Sequence, residues 1–358
     1  MPPRSRTSAP DRLRPSALLA GAALVASTLA GRPAAADRCT SFYDPARLPT
    51  PIIYNYGENE TARSAAMGGA LRALGNGTTG VFLNPASMVQ SRVYHIEANA
   101  QFTPETTRAV FGGVVVDSVT SRLAGAAAIN GGFMDSCGVD RSMLDVRSAI
   151  AYPIGDRLLL GVGGRYLKAT QTPHLSPFGE ADPVAGGLVD PAASPPTRFA
   201  LLNTFTFDVG LSVRITDGLY VAALGQNLTY PNTGLLPTMV GGGLGYGNQN
   251  LTVEVDGLAD FNSWGKPTGR FMAGAEYLLV DHVPLRLGFR YDQGNKIGTM
   301  ISGGTGYIGQ SFSIEASVKR SLTNPGATAL LFSVAYFLES AGVTRTAPTD
   351  QPVLEAAQ

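Results

Sequence analysis

Long apolar runs are missing from this chain beyond its first few dozen residues. A membrane helix needs roughly 20 consecutive apolar residues, so crossing a bilayer by helices is excluded for that region. An excess of either charge is missing as well. Lys plus Arg is 27 and Asp plus Glu is 27, which leaves no basic footprint for nucleic acid. Histidine and cysteine are scarce, at 3 and 2 residues. His95, His174 and His282 are scattered, with no His-x-x-x-His or Glu-x-x-His spacing, and two cysteines do not make a structural zinc site. Gly-x-Ser-x-Gly is absent too. These absences predict no catalytic residue, no metal and no cofactor, and a protein that is not an enzyme.

What the chain does carry begins with an export pattern. Arg4, Arg6, Arg12 and Arg14 form a basic region, Ser16 to Gly31 an apolar one, and Ala34, Ala35 and Ala36 offer small residues for cleavage before Asp37. Residues 1–36 are therefore read as a signal peptide. Cys39 follows closely, but Asp37 and Arg38 ahead of it do not suit lipidation. In an oxidising compartment Cys39 and Cys137 are free to pair, and sequence alone does not bring them together.

Alternation dominates the chain after Ser91. In Arg270 to Asp292, Phe271, Ala273, Ala275, Tyr277 and Leu279 share one parity, and Leu285, Leu287, Phe289 and Tyr291 continue it after a turn. The other parity holds Met272, Gly274, Glu276, Arg286, Gly288, Arg290 and Asp292. Successive strand side chains point to opposite faces, so this is a hairpin with one oily and one wet face. About fourteen such segments lie between Arg92 and Leu338, the Gly/Ala-rich ones around Val114, Ala127, Gly242 and Gly303 being the weakest.

Connector lengths sort by parity. Pro153 to Asp156, Thr216 to Gly218, Gly247 to Gln249, Asp281 to Pro284 and Gly309 to Gln310 are short. Asp135 to Ser142, Thr170 to Leu202, Thr229 to Leu235, Asp260 to Gly269 and Asn324 to Gly326 read as the longer set on the opposite side. Short turns on one side and long loops on the other are a transmembrane-barrel feature, and a soluble sandwich has no reason to show it. Trp264, the sole tryptophan, falls in an outer loop, and Glu339 to Gln358 reads as a disordered tail.

From Cys39 to Met88 no alternation exists. Gly75-Asn76-Gly77-Thr78-Thr79-Gly80 matches a dinucleotide-loop spacing, but no buried strand precedes it and Pro85 cuts short any following helix. The stretch from Ala65-Ala66-Met67-Gly68-Gly69-Ala70 to Asn84-Pro85-Ala86 instead resembles the amino-terminal signature of FadL-type outer-membrane transporters and the related PorV-like barrel proteins. That resemblance implies a hatch, residues 37–90 with Gly68, Gly69, Asn84, Pro85 and Ala86 at its centre, which plugs the lumen. It also implies passive transport of hydrophobic small molecules such as long-chain fatty acids. The PorV-like branch implies the alternative, a non-transporting accessory or scaffold in protein export.

The resulting expectation is an all-β transmembrane antiparallel barrel of about fourteen strands (residues 91–338) in a bacterial outer membrane. Its partners are outer-membrane lipid, an unidentified hydrophobic ligand and, on the accessory reading, secreted proteins; nucleic acid is not among them. Arg165, Asp208, Arg214, Glu254, Glu276, Arg286, Arg290, Glu315 and Lys319 carry the inward parity. Their signs balance, so compensating pairs that hold barrel and hatch together are favoured over a selectivity lining.

Overall fold

The computed structural model describes residues 59–338, apart from 105–106, 137–138, 172–180, 183–186, 189–198, 232–235, 264–265, 295–298 and 323–326. Residues 1–36, read above as a signal peptide, lie outside the described residues, as do Cys39, Cys137, His174, Trp264, most of the 170–202 loop and the stretch from Glu339.

Strands run in chain order as β1 (Tyr94–Thr103), β2 (Arg108–Asp117), β3 (Ala124–Ser136), β4 (Val139–Ile154), β5 (Leu158–Gln171), β6 (Ala181–Asp182), β7 (Gly187–Leu188) and β8 (Phe199–Thr216). They continue as β9 (Leu219–Gln226), β10 (Met239–Gly247), β11 (Leu251–Asp260), β12 (Thr268–Leu279), β13 (Val283–Asp292), β14 (Met300–Ile308), β15 (Phe312–Ser321) and β16 (Thr328–Leu338). The two-residue strands β6 and β7 pair only with each other, and the remaining strands form one closed barrel in which β1 pairs antiparallel with β16. Closure leaves no sheet edge, which hydrocarbon demands because it offers no partner for a free amide.

The alternation read from sequence decides which face meets lipid. Phe271, Tyr277, Leu285, Phe289 and Tyr291 are exposed, whereas Met272, Glu276, Arg286, Arg290 and Asp292 are buried. Register sets like against like: Phe271 lies opposite Tyr291, and Glu276 opposite Arg286. The same outward band continues through Phe205, Phe207, Val253, Val255, Ile314, Phe332 and Val334 around the whole circumference. An exposed apolar band of this extent belongs in a bilayer.

Leu287, 72% exposed midway along β13, sits in that band. Leu287→Arg is expected to cost about 2–4 kcal/mol of folding stability in lipid. Urea titration of the barrel refolded into vesicles, read on the heat-modifiable gel band, measures it; an unchanged midpoint would remove Leu287 from the lipid face.

The connectors named above keep their parity with one correction, and among the others the β1–β2 link (residues 104–107) is shorter than the β2–β3 link (residues 118–123) on the opposite side. Asp135 to Ser142 is not a longer loop, because β3 runs to Ser136 and β4 starts at Val139, leaving only residues 137 and 138 between them. Continuous pairing up to Ser136 and Val139 accounts for it. The weakly patterned Gly/Ala segments are full strands as well, for a reason found inside the barrel. Among the described residues no helix is long and apolar enough to cross a membrane.

Candidate functional site: the occupied lumen

Residues 59–90 lie inside the barrel and nearly all are buried. Two short helices, α1 (Ala62–Ala66) and α2 (Thr78–Leu83), and a 3-10 helix, Pro85–Gln90, punctuate this lumenal segment. Thr61 caps α1, its hydroxyl accepting from Ser64 N at 3.2 Å. The helix stops where Gly68 and Gly69 take φ of 71° and 80°, backbone that glycine adopts without a Cβ penalty. Gly68 carries a second demand, since a Cβ there would stand 2.6 Å from the Phe289 carbonyl oxygen of the wall.

Asn84-Pro85-Ala86 has an equally local explanation. Asn84 Oδ1 accepts from Ala86 N at 3.1 Å while its Nδ2 donates to Arg72 O at 2.7 Å, so one side chain caps the 3-10 helix and ties it to the earlier half of the segment. Pro85 opens that helix, where its missing N–H costs nothing. Ser87 Oγ adds bonds to Gly75 O (2.7 Å) and Asn84 O (2.8 Å).

The wall meets this segment through glycine. On the inward face, a Cβ at Gly161 or Gly210 would collide with Pro85, Ala86 or Asn84. One at Gly274 or Gly288 would collide with Met67 or Gly68, one at Gly304 with Ala66, and one at Gly245 with Leu74. These glycines let the segment's backbone approach the strands at the same spacing as a packed layer. Only Gly245 and Gly304 fall in the weakly patterned segments; around Val114 and Ala127 the alternation is weak because the inward Val114, Val116, Ala124 and Ala128 are apolar too, packed in one cluster with Met67, Leu71, Val81 and Phe82 of the segment.

Charge supplies the rest of the contact. Glu276, 2% exposed, accepts from Arg63 Nε and Nη2 at 3.2 Å each and also pairs with Arg286, whose Nη1 reaches Glu315 at 2.7 Å. Glu254 accepts the backbone amides of Ala73 (2.6 Å) and Leu74 (2.9 Å). Arg72 bonds Asp256 at 3.0 Å. Glu60 stands 3.0 Å from Lys319 and 3.8 Å from Arg290. Thr78 donates to Glu97. Arg165 and Arg147 share Asp145, which also accepts from Asn59 at 2.9 Å. Asp208 accepts from Asn227 N at 2.7 Å. Arg214, nearer the short-turn end and half-buried, lies opposite Tyr220.

Of the sequence-predicted inward residues, Glu254, Glu276, Arg290 and Lys319 meet the segment, Arg286 joins Glu276 and Glu315, and Arg165, Asp208 and Arg214 instead meet or face Asp145, Asn227 and Tyr220 of the wall. The reading of the sequence overlooked the segment's own ions, Glu60, Arg63 and Arg72, and the wall's Asp145, Arg147 and Arg270. The wall residues were accessible by parity, since Asp145 and Arg147 alternate with the exposed Leu144 and Val146. The segment's ions sit where no period exists, so only their partners identify them.

His95 lies beside Phe337 and 3.9 Å from Glu97, while His282 sits at a turn with Nδ1 2.9 Å from Ile308 O. Among the described residues no group of His, Cys, Asp or Glu is arranged to hold a metal ion. On the loop side of the segment, a cavity of about 40 Å³ is bordered by Asn59, Glu60, Arg72, Phe82, Arg147, Arg165, Asp208, Gln226, Arg270 and Arg290. An apolar cavity that takes up benzene measures about 150 Å³, so this space does not pass an aromatic ring.

No protein-family model matches the chain, and no curated protein matches its sequence. Solved structures do match. The toluene transporter TbuX of Ralstonia pickettii is 16% identical with a TM-score of 0.56, covering 78% of this chain and 98% of its own. A FadL homologue of Pseudomonas aeruginosa is 14% identical at 0.56, with 78% and 98% covered. The toluene transporter TodX of Pseudomonas putida is 12% identical at 0.54, with 80% and 99% covered. At these identities the likeness is one of fold: this chain has the FadL-type barrel fold.

Proposed function

We propose that this protein is a bacterial outer-membrane barrel that lets hydrophobic small molecules cross passively, with residues 59–90 as the visible part of its hatch. The carrying observation is the lumen itself. A separate segment of chain fills it, docked on inward glycines and on ion pairs that belong half to the segment and half to the wall. A permanently sealed barrel needs no such removable filling, because its wall side chains alone close a lumen. The fold shared with toluene transporters supports an apolar cargo, and a cavity of about 40 Å³ means that passage requires the segment to shift. The balance of charge in the wall leaves ion transport without a driving field.

Gly68, Gly69, Asn84, Pro85 and Ala86 act in this reading as the hinge and clasp of the hatch. Arg165, Asp208, Glu254, Glu276, Arg286, Arg290 and Glu315 hold it or brace the wall around it. Cells with and without the protein, given radiolabelled toluene, a long-chain fatty acid and a polar sugar of similar mass, test the proposal. Faster uptake of one apolar compound and none of the sugar is expected, and its identity settles aromatic against fatty-acid cargo. Equal uptake of all three, together with an exported protein that stays bound through purification, would replace transport by the accessory role.

A further inference from the structure

Resting on the transport reading above, we propose that the passage opened when the segment moves selects by charge. It admits neutral and cationic molecules and turns back anions, carboxylate-headed amphiphiles included. Four glutamates carry the selection. Glu97 in β1, Glu254 in β11, Glu276 in β12 and Glu315 in β15 are each the fourth residue from the short-turn end of their strand, as is Arg286 in β13. All five are buried. In the order of the closed sheet they make a half-ring at one level of the lumen, from β11 round to β1. Arg286 is shared between Glu276 and Glu315. Even with Arg214 of β8 counted, the half-ring keeps a surplus of negative charge.

The segment shows what such a half-ring holds. Arg63 places its guanidinium on Glu276, with Nε and Nη2 each at 3.2 Å. Glu254 takes the amides of Ala73 and Leu74, and Thr78 donates to Glu97. The resident occupant therefore presents one cation and three further donors. Asp256, the next inward residue of β11, is 5% exposed and pairs with Arg72 through Oδ2, yet its Oδ1 accepts no hydrogen bond. Acceptors are in excess here even with the segment docked.

Moving the segment takes Arg63 and Arg72 away together. Among the described residues, no ion pair joins Glu254 or Asp256 to a cation of the wall. The wall cations that lose a segment carboxylate are Lys319 and Arg290, both paired with Glu60. Each is third from the opposite, loop-side end of its strand. Asp145 keeps Arg147 and Arg165, since that cluster belongs to the wall. Charge thus balances over the wall as a whole but not at the level where the segment sits. Hydrated carboxylates are ionised at neutral pH. Rings of such groups favour cations in a pore, and low-dielectric walls focus their field.

Planar-bilayer recording on the barrel opened by Gly288→Val, across a tenfold gradient of potassium chloride at neutral pH, is the test. Potassium is expected to pass about tenfold more readily than chloride. The same gradient of potassium hexanoate, whose anion joins a carboxylate to an apolar tail, should give the same exclusion. Glu97→Gln and Glu254→Gln together, added to the opened barrel, should lower the preference severalfold. Should Gly288→Val not fold, Gly210→Val opens the lumen from its other side. An open barrel that passes chloride or hexanoate as readily as potassium overturns the proposal and leaves transport standing. So does a preference that the two Gln substitutions leave undiminished. Silence of both folded Val variants removes the moving segment, and overturns this proposal and the transport reading together.

Discussion

Gly288→Val is expected to convert a closed barrel into a conducting one without unfolding it. A Cβ at Gly288 would be driven into the backbone between Met67 and Gly68, where no rotamer change relieves the collision. Overpacking of this kind costs about 1–3 kcal/mol. Because the strain falls on the contact between segment and wall, it appears as a shift of about ten- to a hundredfold from docked to undocked segment. Planar-bilayer recordings should show steady conductance where the parent protein is silent, while the heat-modifiable band shows the barrel intact. Gly210→Val, against Asn84 and Ala86, should behave alike from the other side of the lumen. Gly125→Val is the control, since nothing lies within 4 Å of a Cβ there. Silent Gly288→Val and Gly210→Val barrels that fold normally would mean that the segment is not seated on these glycines.

Glu276→Gln is expected to cause a large loss of stability from inside the lumen. Its carboxylate lies between Arg63 of the segment and Arg286 of the wall, and all three are nearly inaccessible. Removing one partner of a buried ion pair typically costs about 3–5 kcal/mol, because a charge is left behind without compensation. Arg286 keeps Glu315 at 2.7 Å and Arg63 keeps Asn76 Oδ1 at 2.9 Å, which places the loss near the lower end, about 3 kcal/mol. Arg63→Met alone should cost a similar amount, and the double variant clearly less than the two together, since the charges then leave as a pair. Urea unfolding in detergent measures all three. The exposed Arg320 and Thr328 pair supplies the comparison, where Arg320→Ala should stay within about 0.5 kcal/mol. Strict additivity of Arg63→Met and Glu276→Gln would show that the contact contributes nothing.

Much of the barrel was legible because strand geometry writes itself into sequence at a period of two. Phe271 to Tyr291 declared both faces of a hairpin, and the register then placed Glu276 opposite Arg286. The tight β3–β4 link was misread because Asp135 and Asp140, polar and near a glycine, look like loop residues, yet they pair across the hairpin. The lumenal segment was legible only by resemblance. Its residues follow no period, since they pack against a concave wall on all sides and no single face is repeatedly buried.

The amino-acid sequence by itself determined which side of each strand faces lipid, because a residue's parity is a local property of the chain. Only the tertiary structure decided why the inward glycines are glycine and which charges meet. Those answers depend on contacts such as Arg63 with Glu276 and Gly68 with Phe289, between positions more than two hundred residues apart along the chain. No local pattern encodes such a meeting; closing the sheet around the segment creates it.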